Sequence, residues 1–173
     1  MHFPLHPDTP AEGRSIEELF RGRNLDVRSA QTRLRALMDA EGLAYGPRTH
    51  TYNSRLAQEV AKWAETKLGG EGIHDALFKA YFVDGRNIGD STVLVDVARS
   101  VGLPADEAAG VLDERRYRAA VDADWAKSRE YGVTGVPTFV SGGHGVVGAQ
   151  PYEALAQFLR ERNATPRTGR DAG

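Results

Sequence analysis

The residues best placed to do chemistry lie near the end of the chain. They are Gly132-Val133-Thr134-Gly135-Val136-Pro137-Thr138-Phe139-Val140, followed by Val146-Val147-Gly148-Ala149-Gln150-Pro151. What this stretch offers is backbone, not an acid or a base. A proline cannot donate to a β-ladder, so Pro137 belongs at the first residue of a strand. Val136 before it is biased to extended dihedrals. Gly132 and Gly135 let the chain leave a helix and turn sharply into a sheet. Two forms of the Val136–Pro137 bond fit this pattern. A trans bond simply opens an edge strand. A cis bond, rarer and costlier, leaves the Val136 carbonyl and amide pointing outward, free to hydrogen-bond an extended peptide or a thiol ligand. The residues alone leave both open. The candidate substrate-binding residues are Val136 and Pro137 for backbone contact, with Thr134 and Gly135 shaping the loop.

Other chemistries find little support. The chain has no cysteine. It therefore holds no disulfide framework, no thiolate metal site and no nucleophilic thiol, and no catalytic residue is assigned. His2, His6, His50, His74 and His144 are widely spread. None forms an i, i+4 pair on a helix and there is no His-Glu-x-x-His, so no metal site is expected. No Gly-x-Ser-x-Gly elbow and no Gly-x-x-x-x-Gly-Lys loop occurs. Acyl transfer from a serine and phosphate cradling both lack a motif. Trp63, Trp125, Tyr81 and Phe82 lie on helical apolar stretches and read as core. Asp122 and Asp124 are spaced i, i+2, do not face each other, and read as surface charge.

The elements that must carry the loop are mostly helical. Residues 4–13, with Pro4, Pro7 and Pro10, form an extended loop, and a strand could end near Leu5. Ser15 and Glu18 have the form of a capping box. Asp26 caps a helix with Val27, Ala30, Leu34, Leu37 and Met38 on one face, closed by Gly42. Asn53 caps a third helix, and Ile73 to Tyr81 mark a fourth. Asp90 caps a fifth, a sixth runs from about Pro104 to Leu112, and a seventh from near Arg116 to Gly132. Then Thr138–Val140 reads as a strand, residues 141–145 as a turn and Val146-Val147 as the return strand. Pro151 launches a last helix, with Leu155, Phe158 and Leu159 facing inward. Residues 163–173 read as a frayed tail.

A chain of 173 residues, 40% hydrophobic and 27% charged, favours one compact soluble domain with a sizeable core. A net charge of −2 gives no electrostatic footprint for nucleic acid or anionic lipid. No apolar run reaches the roughly 18 residues of a membrane span. The first seven residues show no basic and apolar leader pattern. A cytoplasmic protein without nucleic-acid or membrane partners is the expectation.

The glycine-flanked Val-Pro motif and the Val-Val-Gly-Ala-Gln-Pro step together resemble the C-terminal signature of DsbA-type oxidoreductases, nearest the FrnE-like branch. Two other stretches are similar in order. Phe3-Pro4-Leu5-His6-Pro7-Asp8 resembles the end of the family's second strand. Ala80-Tyr81-Phe82-Val83-Asp84-Gly85-Arg86-Asn87-Ile88-Gly89-Asp90 resembles part of its insertion domain. The resemblance covers the chain to about residue 162. It implies an α/β, thioredoxin-like fold of DsbA type, mostly helical, with a large all-helical insertion and a sheet incomplete at the N-terminus. It divides the chain into a thioredoxin-like remnant (1–13 and 132–162), a helical insertion (14–131) and a flexible tail (163–173). It implies a cis Val136–Pro137 bond facing a Cys-x-x-Cys, and places His6 near that centre.

The family's first strand and its Cys-x-x-Cys helix would precede residue 1. The expectation is a truncated oxidoreductase without redox-active cysteines, or a chain that pairs its open sheet edge in a homodimer. The expected partner is a thiol- or disulfide-containing peptide or a small thiol, with no cofactor. Two alternatives compete. The 2-hydroxychromene-2-carboxylate isomerases and kappa-class transferases share this fold and use bound glutathione. A non-catalytic module could hold an extended peptide by backbone hydrogen bonds alone.

Overall fold

The computed structural model describes residues 1–22 and 26–165. From residue 166 onward the expected tail lies outside the described residues. Four of the helices start where a side chain satisfies an orphan amide. α1 (Ile16–Leu19) is one turn, with the Ser15 hydroxyl accepting from the Glu18 amide at 3.1 Å. α2 (Val27–Ala40) begins at Asp26, which accepts from the Ser29 amide at 3.1 Å. α3 (Arg55–Ala64) follows Asn53, whose Oδ1 accepts from the Arg55 amide at 2.9 Å. α4 (Ile73–Phe78) runs into a π-helical turn, Lys79–Val83. α5 (Ser91–Ser100) is capped by Asp90 through the Thr92 amide at 2.8 Å. α6 (Ala105–Asp113) follows Pro104, and α7 (Arg118–Glu130) ends at Gly132 in the left-handed region.

Two small antiparallel pairs complete the framework. β1 (Arg14–Ser15) pairs with β2 (His50–Thr51). β3 (Thr138–Ser141) pairs with β4 (His144–Val147), with Thr138 opposite Val147. The turn between them uses Gly142 and Gly143 at positive φ, as a two-residue hairpin requires. α8 (Tyr152–Glu161) follows Pro151. The β1–β2 pair was not expected. The strand expected to end near Leu5 does not form among the described residues. Pro4 and Pro7 remove ladder donors there, and the His2 amide is given to Asp124 at 2.9 Å instead.

The core is helical. Apart from Ile16 and Phe158, every buried apolar side chain among the described residues lies between Ala57 and Val121. Trp63, Ile73, Leu94 and Val111 are its largest fully buried members. By contrast α2 buries no residue despite its one-sided apolar pattern. On α8 only Phe158 is buried, and Leu159, expected inside, is 44% exposed. The reason is visible at the hairpin: β3 packs on β4 and has no broad helical layer beneath it.

A carboxylate sits inside this apolar core. Glu59 is fully buried on α3. Arg115, held at φ 53 between α6 and α7, grips both its oxygens at 2.7 and 2.8 Å, and Arg55 Nε reaches Oε1 at 2.8 Å. Burial alone would raise the Glu59 pKa, but the hydrogen bonds from Arg115 and Arg55 outweigh it and hold the carboxyl below its ordinary value. Arg55 extends the network. It donates to the Arg118 carbonyl at 2.9 Å, pairs with Asp122 at 2.7 Å and lies over the Trp125 ring at 4.5 Å. Asp122 is exposed, as expected of surface charge, and is paired with Arg55 of α3.

The first residues are strapped across α3 and α7. The Gln58 amide donates to the Phe3 carbonyl at 3.0 Å and accepts from the Trp125 indole at 2.7 Å. Asn53 holds the carbonyls of Pro7 and Thr9, and Asn87 that of Ala11. Asp124, expected at the surface, holds the His2 amide and Lys62 at 3.0 Å. So the long-range bonds of residues 1–13 named here run to the helical part of the chain.

Two outcomes follow from these contacts. Replacing Glu59 by Ala leaves two guanidiniums around a buried void and lowers unfolding free energy by about 3 kcal/mol in urea titrations; a loss under about 1 kcal/mol would show that water repairs the site. His2 carries the second. Burial pushes its imidazole from 6.5 down to about 4, with Asp124 opposing and Lys62 and the terminal amine assisting. The unfolded chain then binds more protons below pH 6.5. Stability is complete above that pH and falls as pH drops toward 4, by on the order of 2 kcal/mol given the partial exposure of the ring. The pH dependence of the melting temperature should flatten in His2→Leu.

Candidate functional site

The predicted site residues form one continuous loop between α7 and β3. The Gly132 amide closes α7 on the Arg129 carbonyl at 2.9 Å, and the Val133 amide reaches the Ser128 carbonyl at 2.9 Å. Both bonds satisfy end carbonyls of the helix and aim the chain away from it. Thr134 follows, exposed, and then Gly135, half-buried. The Val136–Pro137 peptide bond is cis.

Two hydrogen bonds fix the loop on the hairpin. The Thr138 hydroxyl donates to the Gly135 carbonyl at 2.6 Å, and the Gly148 amide donates to the Pro137 carbonyl at 2.8 Å. The second prolongs the β3–β4 ladder by one step. Between these anchored groups, the Val136 amide and carbonyl have no partner among the described residues, and Val136 is 49% exposed. A backbone donor and acceptor are therefore presented at the mouth of a strand, which is the arrangement an incoming extended chain needs.

The hairpin is only partly covered on both faces. Successive residues of a strand point to opposite sides, yet Phe139 is 39% and Val140 40% exposed. Val147 opposite adds another exposed apolar side chain. Beyond β3 and β4 no further strand pairs with either among the described residues.

Gly143, Gly145 and Gly148 have the spacing of a dinucleotide fingerprint. Here that stretch runs from a turn along β4, not from a strand into a helix, so its amides cannot cradle a phosphate. His6 adopts φ 50 in the 4–13 loop, and its carbonyl accepts both the amide and the hydroxyl of Thr9. Among the described residues no group of three His, Asp or Glu is arranged to hold a metal ion. The residue that the sequence reading missed is Thr138, taken only as the start of a strand. A hydroxyl three residues after a turn glycine was the available signal.

A DSBA-like thioredoxin domain model matches residues 1–160. The chain belongs to the DSBA-like thioredoxin domain family. A solved structure of a probable DsbA oxidoreductase from Streptomyces coelicolor is 31% identical. It superposes with a TM-score of 0.82 over 98% of this chain and 77% of its own. The uncharacterized protein YwbO of Bacillus subtilis is 32% identical over 116 residues, which are 65% of this chain. The matched stretch spans a little over half, 56%, of that curated relative. Within this DsbA-like family the present chain carries the thioredoxin-fold loop and the helices but no redox-active cysteine. No helix among the described residues is long and apolar enough to cross a membrane.

The loop's dependence on Thr138 is measurable. Thr138→Val should lower unfolding free energy by about 1 kcal/mol, the worth of one such hydrogen bond. Thr138→Ser should restore most of it. Equal stability of all three forms would show that the hydroxyl pins nothing.

Proposed function

We propose that this chain is the substrate-holding part of a FrnE-like thiol–disulfide oxidoreductase, and that the Val136 backbone pairs with an extended peptide bearing a thiol or disulfide. The observation that carries the reading is the unpartnered Val136 amide and carbonyl beside an anchored Pro137. Thr134 and Gly135 shape the approach, and Pro137 packs under the bound chain. Family membership supplies the chemical class. The sulfur nucleophile has no candidate among these residues, since the chain holds no cysteine. A dithiol belonging to polypeptide outside these 173 residues would attack the substrate's disulfide, forming one sulfur–sulfur bond as another breaks and releasing a thiolate that takes a proton. Added strands would also cover the hairpin faces that Phe139 and Val140 leave open. A second copy of this chain is the competing way to cover them.

The test uses an extended disulfide-bearing peptide and its analogue N-methylated at the residue opposite Val136. Amide shifts on titration should concentrate in residues 134–137 and 148. N-methylation should weaken binding about fivefold to tenfold, one backbone bond in a partly desolvated site. The chain alone should show no insulin-reducing activity. Shifts elsewhere, or indifference to N-methylation, would overturn the reading. Tighter binding of glutathione than of the peptide would favour the isomerase class instead. A dimer by sedimentation would place the second copy on the open edge.

A further inference from the structure

A cleft lies in a different part of the molecule. α2 and the segment 45–49 enclose a cleft of about 260 Å³. Arg28, Arg35 and Arg48 line it, together with Gln31 and Tyr45, and no carboxylate does. Most guanidiniums on the helical core, such as Arg55, Arg86, Arg115 and Arg116, are paired with Asp or Glu. Among the described residues the three in the cleft have no such pair. Asp26 is the nearest carboxylate in sequence, and it is committed to its own helix, accepting from the Ser29 amide at 3.1 Å and hydroxyl at 2.6 Å. Asp26 acts on Arg28 through space without forming an ion pair, so three guanidiniums share at most one nearby carboxylate and the cluster keeps a net positive charge that an anion would offset.

The walls are built, not incidental. Gln31 on α2 donates to the Arg48 carbonyl at 2.8 Å, and Arg35 donates to the Tyr45 carbonyl at 3.1 Å. The Gly46 amide is bonded to the Phe82 carbonyl at 2.8 Å, against the π-helical turn. A side chain at Gly46 would collide with the Val83 carbonyl, so the close approach requires glycine. Arg48 donates to the Tyr81 hydroxyl at 2.8 and 3.2 Å and lies over the Tyr81 and Phe82 rings. That holds its guanidinium at the cleft with donors to spare. A second and independent feature is the Tyr45 hydroxyl. It is buried and has no hydrogen-bond partner. A buried donor without a partner is uncommon unless a ligand or water meets it.

Next to this cleft lies an apolar one of about 130 Å³, sharing Gln31, Tyr45 and Arg48 as a common wall. Ile16, Phe20, Val27, Ala30 and Leu34 line the rest. This is the apolar stripe of α2, which buries nothing elsewhere. The two volumes together fall at the lower end of the roughly 300–1,000 Å³ typical of small-molecule sites. We infer that α2 and residues 45–49 form a binding site for a small amphipathic anion, whose phosphate or carboxylate head meets Arg28, Arg35, Arg48 and the Tyr45 hydroxyl and whose apolar body lies along Val27, Ala30 and Leu34. The site stands on α2 and not on the loop at Val136, so it holds whether or not the thiol–disulfide reading does.

Phenyl phosphate, benzoate, inorganic phosphate and benzyl alcohol are the probes, titrated into the full chain by calorimetry and amide shifts. Phenyl phosphate or benzoate should saturate below 1 mM (~10⁻³ M), at least tenfold more tightly than inorganic phosphate or benzyl alcohol, and whichever of the two anions wins identifies the head group. Arg28→Gln removes no side-chain hydrogen bond or ion pair among the described residues, only a through-space attraction to Asp26, and should weaken both anions about fivefold with little change in melting temperature. Ala30→Leu fills the apolar chamber. It should reduce phenyl phosphate to the affinity of inorganic phosphate and leave the latter untouched. Tyr45→Phe should weaken the anions without loss of stability. Failure of both amphipathic anions to saturate by about ten times that concentration, equal affinity for phenyl phosphate and inorganic phosphate, or binding indifferent to Arg28→Gln and Ala30→Leu would each overturn the assignment.

Discussion

The carboxylate of Glu59 organises the helical half of this protein. It is the only fully buried charged side chain among the described residues, and two guanidiniums hold it. Neither arginine stops there. Arg115 occupies the bend between α6 and α7, at a positive φ that a non-glycine residue adopts only when its surroundings fix it. Arg55 reaches the first turn of α7 through the Arg118 carbonyl and Asp122. The direction in which α7 leaves the core is thus set by a charge on α3. At the other end of α7, the Gly132 and Val133 amides turn the chain into the Val136–Pro137 loop. An interaction inside the helices therefore fixes the base from which the candidate site is presented. Buried ion pairs contribute little net stability compared with an apolar replacement. Their value here is geometric, because a bidentate grip admits one register of α3 against the α6–α7 bend.

Stability is distributed unevenly as a result. The residues from Ala57 to Val121 carry almost all the buried apolar surface. The β3–β4 hairpin has no fully buried side chain, and two strands alone are marginal in water. Its faces and edges remain open to whatever completes the sheet. The Streptomyces structure, matched over 77% of its length, is larger than this chain and carries the same fold at a TM-score of 0.82. A pre-formed helical body with an unfinished sheet is a reasonable platform for strand addition, since the rigid part need not reorganise when the open part is paired.

What could be read in advance depended on how local its cause was. Ser15, Asp26 and Asp90 were legible as caps because a cap acts within three residues. The Gly142-Gly143 turn was legible for the same reason, and Val136-Pro137 was legible as a strand entrance because proline constrains its own neighbours. The β1–β2 pair was not. Two residues at 14–15 and two at 50–51 carry no periodicity, and only the tertiary path brings them together. Glu59 was hidden differently. Four residues from Arg55, it has the spacing of an ordinary solvated helix pair, and nothing local says that Arg115 will arrive to close it over. Asp124 looked like surface charge until the His2 amide and Lys62 came to it from distant segments. Leu159 was expected inside because helical periodicity marks an apolar side without telling whether anything lies against it.

That last distinction bears on function. An apolar stripe that packs is core; one that does not is a surface waiting for a partner or a ligand. In this chain the two unsatisfied stripes differ in their company. On the hairpin, Phe139, Val140 and Val147 are accompanied by unpaired backbone, and backbone is best met by another strand. On α2, Val27, Ala30 and Leu34 are accompanied by three arginines and an orphan hydroxyl, and these are best met by an oxyanion. The polar groups beside each exposed surface, more than the surface itself, determine what can complete it. Hydrophobic burial is non-directional, whereas an amide, a carbonyl or a guanidinium fork accepts only a partner of matching geometry.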